Sequence, residues 1–247
     1  MMSSQHTPAR RAGGFTFKQF FVAHDRCAMK VGTDGVLLGA WAPLRDESRI
    51  LDIGCGSGLM TLMLAQRSAS DVPIEGVELD EAACQQACEN VAASAWAYRI
   101  GIHHQDVLKY ADETERRYSL IVSNPPYFSP GVPCADEQRT AARYTTTLTH
   151  QALLHAAECL LMSDGRFCLV LPIQVASSFL VLAQQQGWQA EQWVEVADNP
   201  ARPVNRVLLS LARQPVLLTR STLLIRDAQR HYSASFRALT QGFYLSM

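Results

Sequence analysis

Short apolar runs, rich in β-branched residues and bounded by turn formers, alternate along this chain with stretches of helical periodicity. Segments 49–54, 74–80, 100–103, 118–122 and 166–171 read as buried strands. Between them, 59–67, 81–93, 149–162 and 174–186 repeat apolar residues at helical spacing, and Asp80 stands where an N-cap belongs. Strand–helix alternation of this kind predicts an α/β fold around a mostly parallel sheet. Strands near 188–197 and 205–212, with no helix between them, predict a final antiparallel pair. Segment 223–226 adds a further short strand, and Ser233 opens a C-terminal amphipathic helix. Upstream, the alternation of Phe15 and Phe17 predicts a strand that forms a hairpin with Met29-Lys30-Val31. Thr33 or Asp34 is expected to cap a short helix that stops before Pro43, with backbone donors free to face a carboxylate. Residues 1–12 are polar and expected to be disordered.

Composition narrows the class. The 247 residues suffice for one sizeable core. Hydrophobic residues make up 48% and mean hydropathy is −0.03, ordinary for a globular protein. No apolar run approaches the ~18 residues of a membrane span, and the first fifteen residues lack a signal-type apolar stretch, so a cytoplasmic protein without membrane contact is expected. The seven cysteines include no C-x-x-C pair and are expected to be reduced thiols; Cys84 and Cys88, four apart on a helix, read as packing. The seven histidines show no ligand spacing, and no metal is expected. The net charge of −1 conceals an asymmetry. Residues 1–45 hold six Lys/Arg against two acids, residues 199–247 seven Arg against one acid, and the middle is strongly acidic. Basic ends of this kind suit a polyanion, and Arg10, Arg11, Arg202 and Arg206 are the candidate contacts.

The chemistry gathers at predicted strand ends, where open α/β sheets bind their ligands. After 49–53 comes Asp52-x-Gly54-x-Gly56-x-Gly58, a turn that lets backbone approach a ligand without Cβ clashes. Its spacing is not the G-x-G-x-x-G that seats a pyrophosphate. A carboxylate just before the turn repels phosphate and attracts an ammonium, which points to S-adenosyl-L-methionine rather than a dinucleotide. Glu78, twenty residues after Gly58, stands where an acid takes ribose hydroxyls, and Asp106 where one accepts from an adenine amine. Each acid alone is more simply a solvated strand end or a helix cap; together with Asn124-Pro125-Pro126-Tyr127 they form a specific set. The Asn124 amide oxygen and the Pro125 carbonyl can each accept one N–H of a planar amino group and aim its lone pair at an electrophile. Tyr127 offers a stacking face to a flipped-out base. Segment 128–147, with Arg139 and Arg143, is long and turn-rich, as disordered segments and substrate-ordered lids both are, and its place directly after the catalytic turn suits a lid.

These motifs resemble the class I S-adenosylmethionine-dependent methyltransferases. The stretch from Phe15 to Gly35, the glycine loop, Ser123-Asn-Pro-Pro-Tyr-Phe128 and Arg143-Tyr-Thr-Thr-Thr-Leu148 resemble the bacterial tRNA1(Val) (adenine(37)-N6)-methyltransferase family. The resemblance covers nearly the whole chain. It implies a Rossmann-like α/β fold: a mostly parallel seven-stranded sheet with an antiparallel last strand, plus a small N-terminal β extension over 1–45 on a methyltransferase domain over 46–247. It implies N6 methylation of adenosine 37 beside the anticodon of a tRNA. Asn124, Pro125, Pro126 and Tyr127 fall on the catalytic motif, and Asp52, Gly54, Gly56, Gly58, Glu78 and Asp106 on the cofactor positions. Lys30, Thr33 and Asp34 fall on an additional cofactor-side element. A monomer is expected. Since Asn-Pro-Pro-Tyr suits any planar amide or amine, a protein glutamine-amide methyltransferase and a guanine-N2 methyltransferase stand beside this reading; a silent RNA-binding relative is a further class, against which the complete motif argues.

Overall fold

The computed structural model describes residues 12–125 and 148–246. The chain runs through β1 (Gly14–Thr16), β2 (Phe21–Ala23), α1 (Thr33–Trp41), β3 (Ile50–Ile53), α2 (Leu59–Arg67), β4 (Ile74–Glu78) and α3 (Glu81–Ala92). A 3-10 turn (Ala97–Arg99) leads into β5 (Ile100–His104), α4 (Val107–Glu113) and β6 (Tyr118–Ser123). Then come α5 (His150–Leu160), β7 (Leu161–Pro172), α6 (Ile173–Gln185), β8 (Gln189–Ala197), β9 (Arg206–Ala212), β10 (Thr219–Leu224) and α7 (Ala234–Thr240). Asp80 and Ser233 cap their helices as expected, accepting from Ala83 N at 2.8 Å and Phe236 N at 3.0 Å, and Thr149 caps α5 by accepting from Ala152 N at 3.1 Å.

One sheet carries eight strands in the order β10-β8-β9-β7-β6-β3-β4-β5. All its pairs are parallel except those of β9, which runs antiparallel to β7 and β8. Alternate residues feed two cores, as a two-fold side-chain period requires. Leu51, Ile53, Ile121, Phe167 and Leu169 face the side covered by α4, α5 and α6. Ile50, Leu120, Val122, Cys168 and Val170 face the side of α1, α2 and α7. Near the start of β4, opposite the strands' C-terminal ends, the buried Glu75 carboxylate collects the hydroxyls of Tyr110 (3.0 Å) and Tyr118 and the guanidinium of Arg116. Arg49 at 3.6 Å and His103 at 3.8 Å complete that cluster.

Three local expectations change. Of segment 223–226 only Leu223 and Leu224 are strand, the tail of β10, which starts at Thr219 and adds an eighth strand to the edge beside β8. Residues 219–222 are exposed and polar, so they carry no apolar signal. The hairpin pairs β1 with β2, not with Met29-Lys30-Val31, because Phe17 N donates to Phe20 O (2.8 Å) and turns the chain at once. Third, α1 is capped by Gly32 without a side-chain bond, which places Thr33 and Asp34 inside the helix.

Candidate active site

The strand order reverses between β3 and β6, since the chain builds outward from β3 through β4 to β5 before returning to β6. Ligands of open α/β sheets sit at that switch. The ladder pairs Ile53 with both Val77 and Ser123, and Glu78 with His104. Asp106, Glu78, the glycine loop and Asn124 therefore emerge side by side from four neighbouring strands. The Ser123 hydroxyl donates to Ile53 O at 2.9 Å and fixes the catalytic turn against the loop. Gly54 and Gly56 have φ of +70° and +54°, in the left-handed region, and a Cβ on either would project into open space. That space is a cleft.

The cleft has two lobes sharing Met29, Gly54, Gly56 and Asn124 as walls. The first is lined by Glu78, Asp106, Val77, Leu79 and Pro125. Glu78 is buried, with Oε2 accepting from Gly56 N (2.8 Å) and Oε1 from Asp80 N (2.9 Å). Burial pushes its pKa up, partly offset by those backbone N–H bonds. Asp106 caps α4, its Oδ1 accepting from Leu108 N at 2.7 Å, so one of its oxygens is committed to the helix.

The second lobe is lined by Lys30, Thr33, Asp34, Gly35 and Arg206. Asp34, in the first turn of α1, forms an ion pair with Arg206, the first residue of β9. The Lys30 ammonium donates to the carbonyls of His24 (2.9 Å), Asp25 and Cys27 (both 3.3 Å). His24 Nδ1 accepts from Val31 N at 2.9 Å, so residues 24–31 close on themselves as a strap along the cleft. Two residues one turn apart on α3 seat it. Gln86 accepts from Arg26 N (3.0 Å), and Asn90 holds Ala23 through both its oxygen (2.9 Å) and its amide (2.8 Å). The same Asn90 amide donates to Ser57 O at 2.8 Å, tying strap to glycine loop.

The structure thus brings Asn124, Pro125, Lys30, Thr33, Asp34, Gly54, Gly56, Glu78 and Asp106 to one cleft. Asp52 and Gly58 are placed differently. Asp52 is wholly buried beneath the loop, Oδ2 accepting from the Thr61 hydroxyl at 2.7 Å and Oδ1 without a hydrogen-bond partner among the described residues. Burial pushes its pKa up to about 7. It seats the loop on α2 and does not line the cleft. Gly58 is the left-handed N-cap of α2, packed on Ala87. Arg206, expected on a polyanion-binding surface, instead belongs to the cleft through Asp34, while Arg202 sits on an exposed turn. Pro126, Tyr127, Arg10, Arg11, Arg139, Arg143 and segment 128–147 lie outside the described residues. Met29 was missed as a cleft wall, since a lone methionine in a polar loop carries no periodic signal. Among the described residues no group of three His, Cys, Asp or Glu is arranged to hold a metal ion, and no helix is long and apolar enough to cross a membrane.

Such a sheet, with a glycine loop, a strand-end acid and Asn-Pro at adjoining strand ends, defines a Rossmann-like methyltransferase that uses S-adenosyl-L-methionine. A crystal structure of a predicted O-methyltransferase from Agrobacterium tumefaciens has the same fold, with a TM-score of 0.67 over 85% of this chain and 96% of that one, at 19% identity. Residues 31–187 match the methyltransferase small domain family. The tRNA1(Val) (adenine(37)-N6)-methyltransferases of Dickeya chrysanthemi and Musicola paradisiaca are 66% and 60% identical to it, each with 100% of both chains covered. The chain belongs to the tRNA1(Val) (adenine(37)-N6)-methyltransferase family. The residues present fit the cofactor. The open cradle above Gly54 and Gly56 leaves room for it, the buried Glu78 offers acceptors in one lobe, and an acid–base pair in the other matches an amino-acid zwitterion.

Proposed function

We propose that this protein methylates N6 of adenosine 37 in tRNA1(Val), acting as a cytoplasmic monomer. One observation carries the reading: Asn124 and Pro125 open from the end of β6 onto the cleft in a chain whose full-length relatives carry that name. Those relatives favour the adenine reading over glutamine-amide or guanine-N2 methylation. Bound S-adenosyl-L-methionine supplies an electrophilic methyl group. Glu78 would hold the ribose hydroxyls and Asp106 the adenine amine through its uncommitted oxygen. Asp34 and Arg206 would share the amino-acid end, Asp34 toward the ammonium and Arg206 toward the carboxylate. That division gives Asp34 the task which the glycine-loop motif alone assigned to Asp52. The Asn124 amide oxygen and Pro125 carbonyl accept the two N–H groups of the target amine and orient its lone pair. Tyr127 would stack on the extruded base. Alkylation acidifies the nitrogen, so its proton passes to solvent without a strong base. Residues 12–45 act as an extension whose strap walls the cleft, on a catalytic domain beginning near 46.

The test is transfer of label from methyl-labelled S-adenosyl-L-methionine into tRNA from a strain lacking the corresponding gene, followed by nucleoside mapping. Label is expected as N6-methyladenosine at position 37 of tRNA1(Val). Label confined to protein or to guanosine would overturn the reading.

A further inference from the structure

The seven arginines of 199–247 divide sharply in space. Arg206 is paired with Asp34, Arg213 with Glu158 and the Trp188 ring, and Arg220 lies over Trp193 at 5.0 Å. The other four, Arg202, Arg226, Arg230 and Arg237, gather at one place for a topological reason. Because β9 is reversed, Val196 of β8 pairs with Arg206 of β9, and Leu224 of β10 pairs with Ala197 of β8. The connection 198–205 and the hairpin 225–233 therefore both lie on the edge of the sheet that carries the cleft. They dock on each other: Ile225 N donates to Ala197 O (3.0 Å) and Arg226 N to Asp198 O (2.7 Å).

The hairpin builds a platform. Arg226 bridges to Tyr232 in an antiparallel pair, and its guanidinium lies 4.9 Å from the centre of that ring. It also donates to Arg230 O at 3.0 Å, while Arg237 Nε donates to Tyr232 O at 3.0 Å. The two acids nearby are engaged, Asp198 by Asn199 Nδ2 (2.9 Å) and Asp227 by His231 N (2.9 Å). Arg202, Arg230 and Arg237 are exposed and have no carboxylate partner among the described residues. Four strand spacings separate β6 from β10, so the platform stands about 19 Å to the side of Asn124. That offset suits nucleotides flanking a base already in the cleft.

We infer that the rim formed by Arg202, Arg230 and Arg237 seats the sugar–phosphate backbone of the tRNA a few nucleotides away from the methylated one, with Tyr232, held between Arg226 and Phe236, as its support. The inference rests on the tRNA reading above and names the surface which that reading lacks. Guanidiniums without a carboxylate partner bind phosphates with counterion release.

The test is the variant R202Q/R230N/R237Q, with Asn at 230 because φ is +66° there and Asn tolerates that region. Affinity for tRNA1(Val) is measured across a salt series, with S-adenosylhomocysteine affinity as the control for folding. The triple variant is expected to bind tRNA more weakly and to flatten the slope of log K against log salt by about 2 to 3, at 0.7–0.9 per contact. S-adenosylhomocysteine affinity should stay within about twofold of the parent. A parent that methylates tRNA beside a triple variant of unchanged affinity and slope overturns the surface alone. A parent that binds S-adenosylhomocysteine yet transfers nothing to tRNA overturns the function reading, and the surface with it.

Discussion

Replacing Glu75 by Gln removes one buried charge and little else. Burial alone would raise this carboxyl's pKa, but contacts from His103, Tyr118 and Tyr110 and the Arg116 charge more than reverse that, leaving it at about 2 against an ordinary 4.5. At 1.36 kcal/mol per tenfold change in proton affinity, the ionised form stabilises the fold by about 3 kcal/mol. Arg116 is half-exposed and screened by water, so that figure is an upper bound. The sign follows from the depressed value. The contribution is complete above the unfolded pKa near 4.5 and is lost as pH falls toward 2. The glutamine variant keeps the shape but strands Arg116 and Arg49 without their counter-charge. Urea unfolding of parent and variant should differ by up to about 3 kcal/mol at pH 7 and by less than half of that at pH 3. A difference below about 1 kcal/mol at pH 7, or one that does not shrink with acid, would refute the argument.

The catalytic turn and the cleft give three more expectations. Asn124→Ala should lower kcat roughly a hundredfold or more, the cost of about 2.7–4 kcal/mol for a lost transition-state hydrogen bond, with cofactor affinity intact; near-parent turnover at saturation would remove Asn124 from the chemistry. Arg206→Gln should weaken S-adenosylhomocysteine binding in calorimetry but leave 5′-methylthioadenosine, which lacks the amino-acid end, unaffected. Equal losses for both ligands would move Arg206 away from that end. Gly76→Ala places a Cβ 2.9 Å from Cys55 Sγ and Ile102 Cδ1, so it should cost about 1–3 kcal/mol in denaturant unfolding and loosen the glycine loop above it; an unchanged midpoint would show that the loop yields freely.

The central strands were legible because a parallel sheet buried on both faces leaves unbroken apolar runs, as in Ile50–Ile53 and Tyr118–Ser123. The chemistry at their ends was legible because Gly, Asn-Pro and strand-end acids are local signals. What escaped was whatever depends on facing. Leu51 and Ile53 point to one core, so the intervening Asp52 must point to the other side, where Thr61 waits. The alternation contained that answer, but the loop motif argued against it. Arg206 is one arginine among seven in a basic tail, and only the reversal of β9 brings it to Asp34. Lys30 reads as a ligand group, yet its ammonium is spent on three carbonyls of its own strap. The polar first half of β10 lies on an edge, where nothing apolar marks a strand.

The hairpin that carries the strap leans on the opposite end of the chain. Lys18 N donates to Phe243 O and Lys18 Nζ to Gln241 O, and the Phe15 and Phe17 rings pack on Tyr244. A two-stranded hairpin is marginal by itself, so during synthesis on the ribosome this one waits for its partners. Asn90 arrives some seventy residues after the hairpin, and residues 241–244 about 220 residues after it. At about 5–20 residues per second, the interval from hairpin to final turn is on the order of 10–50 s. The first hairpin made therefore keeps its aromatic face unpacked until residues 241–244, which follow even the edge strand β10, have emerged.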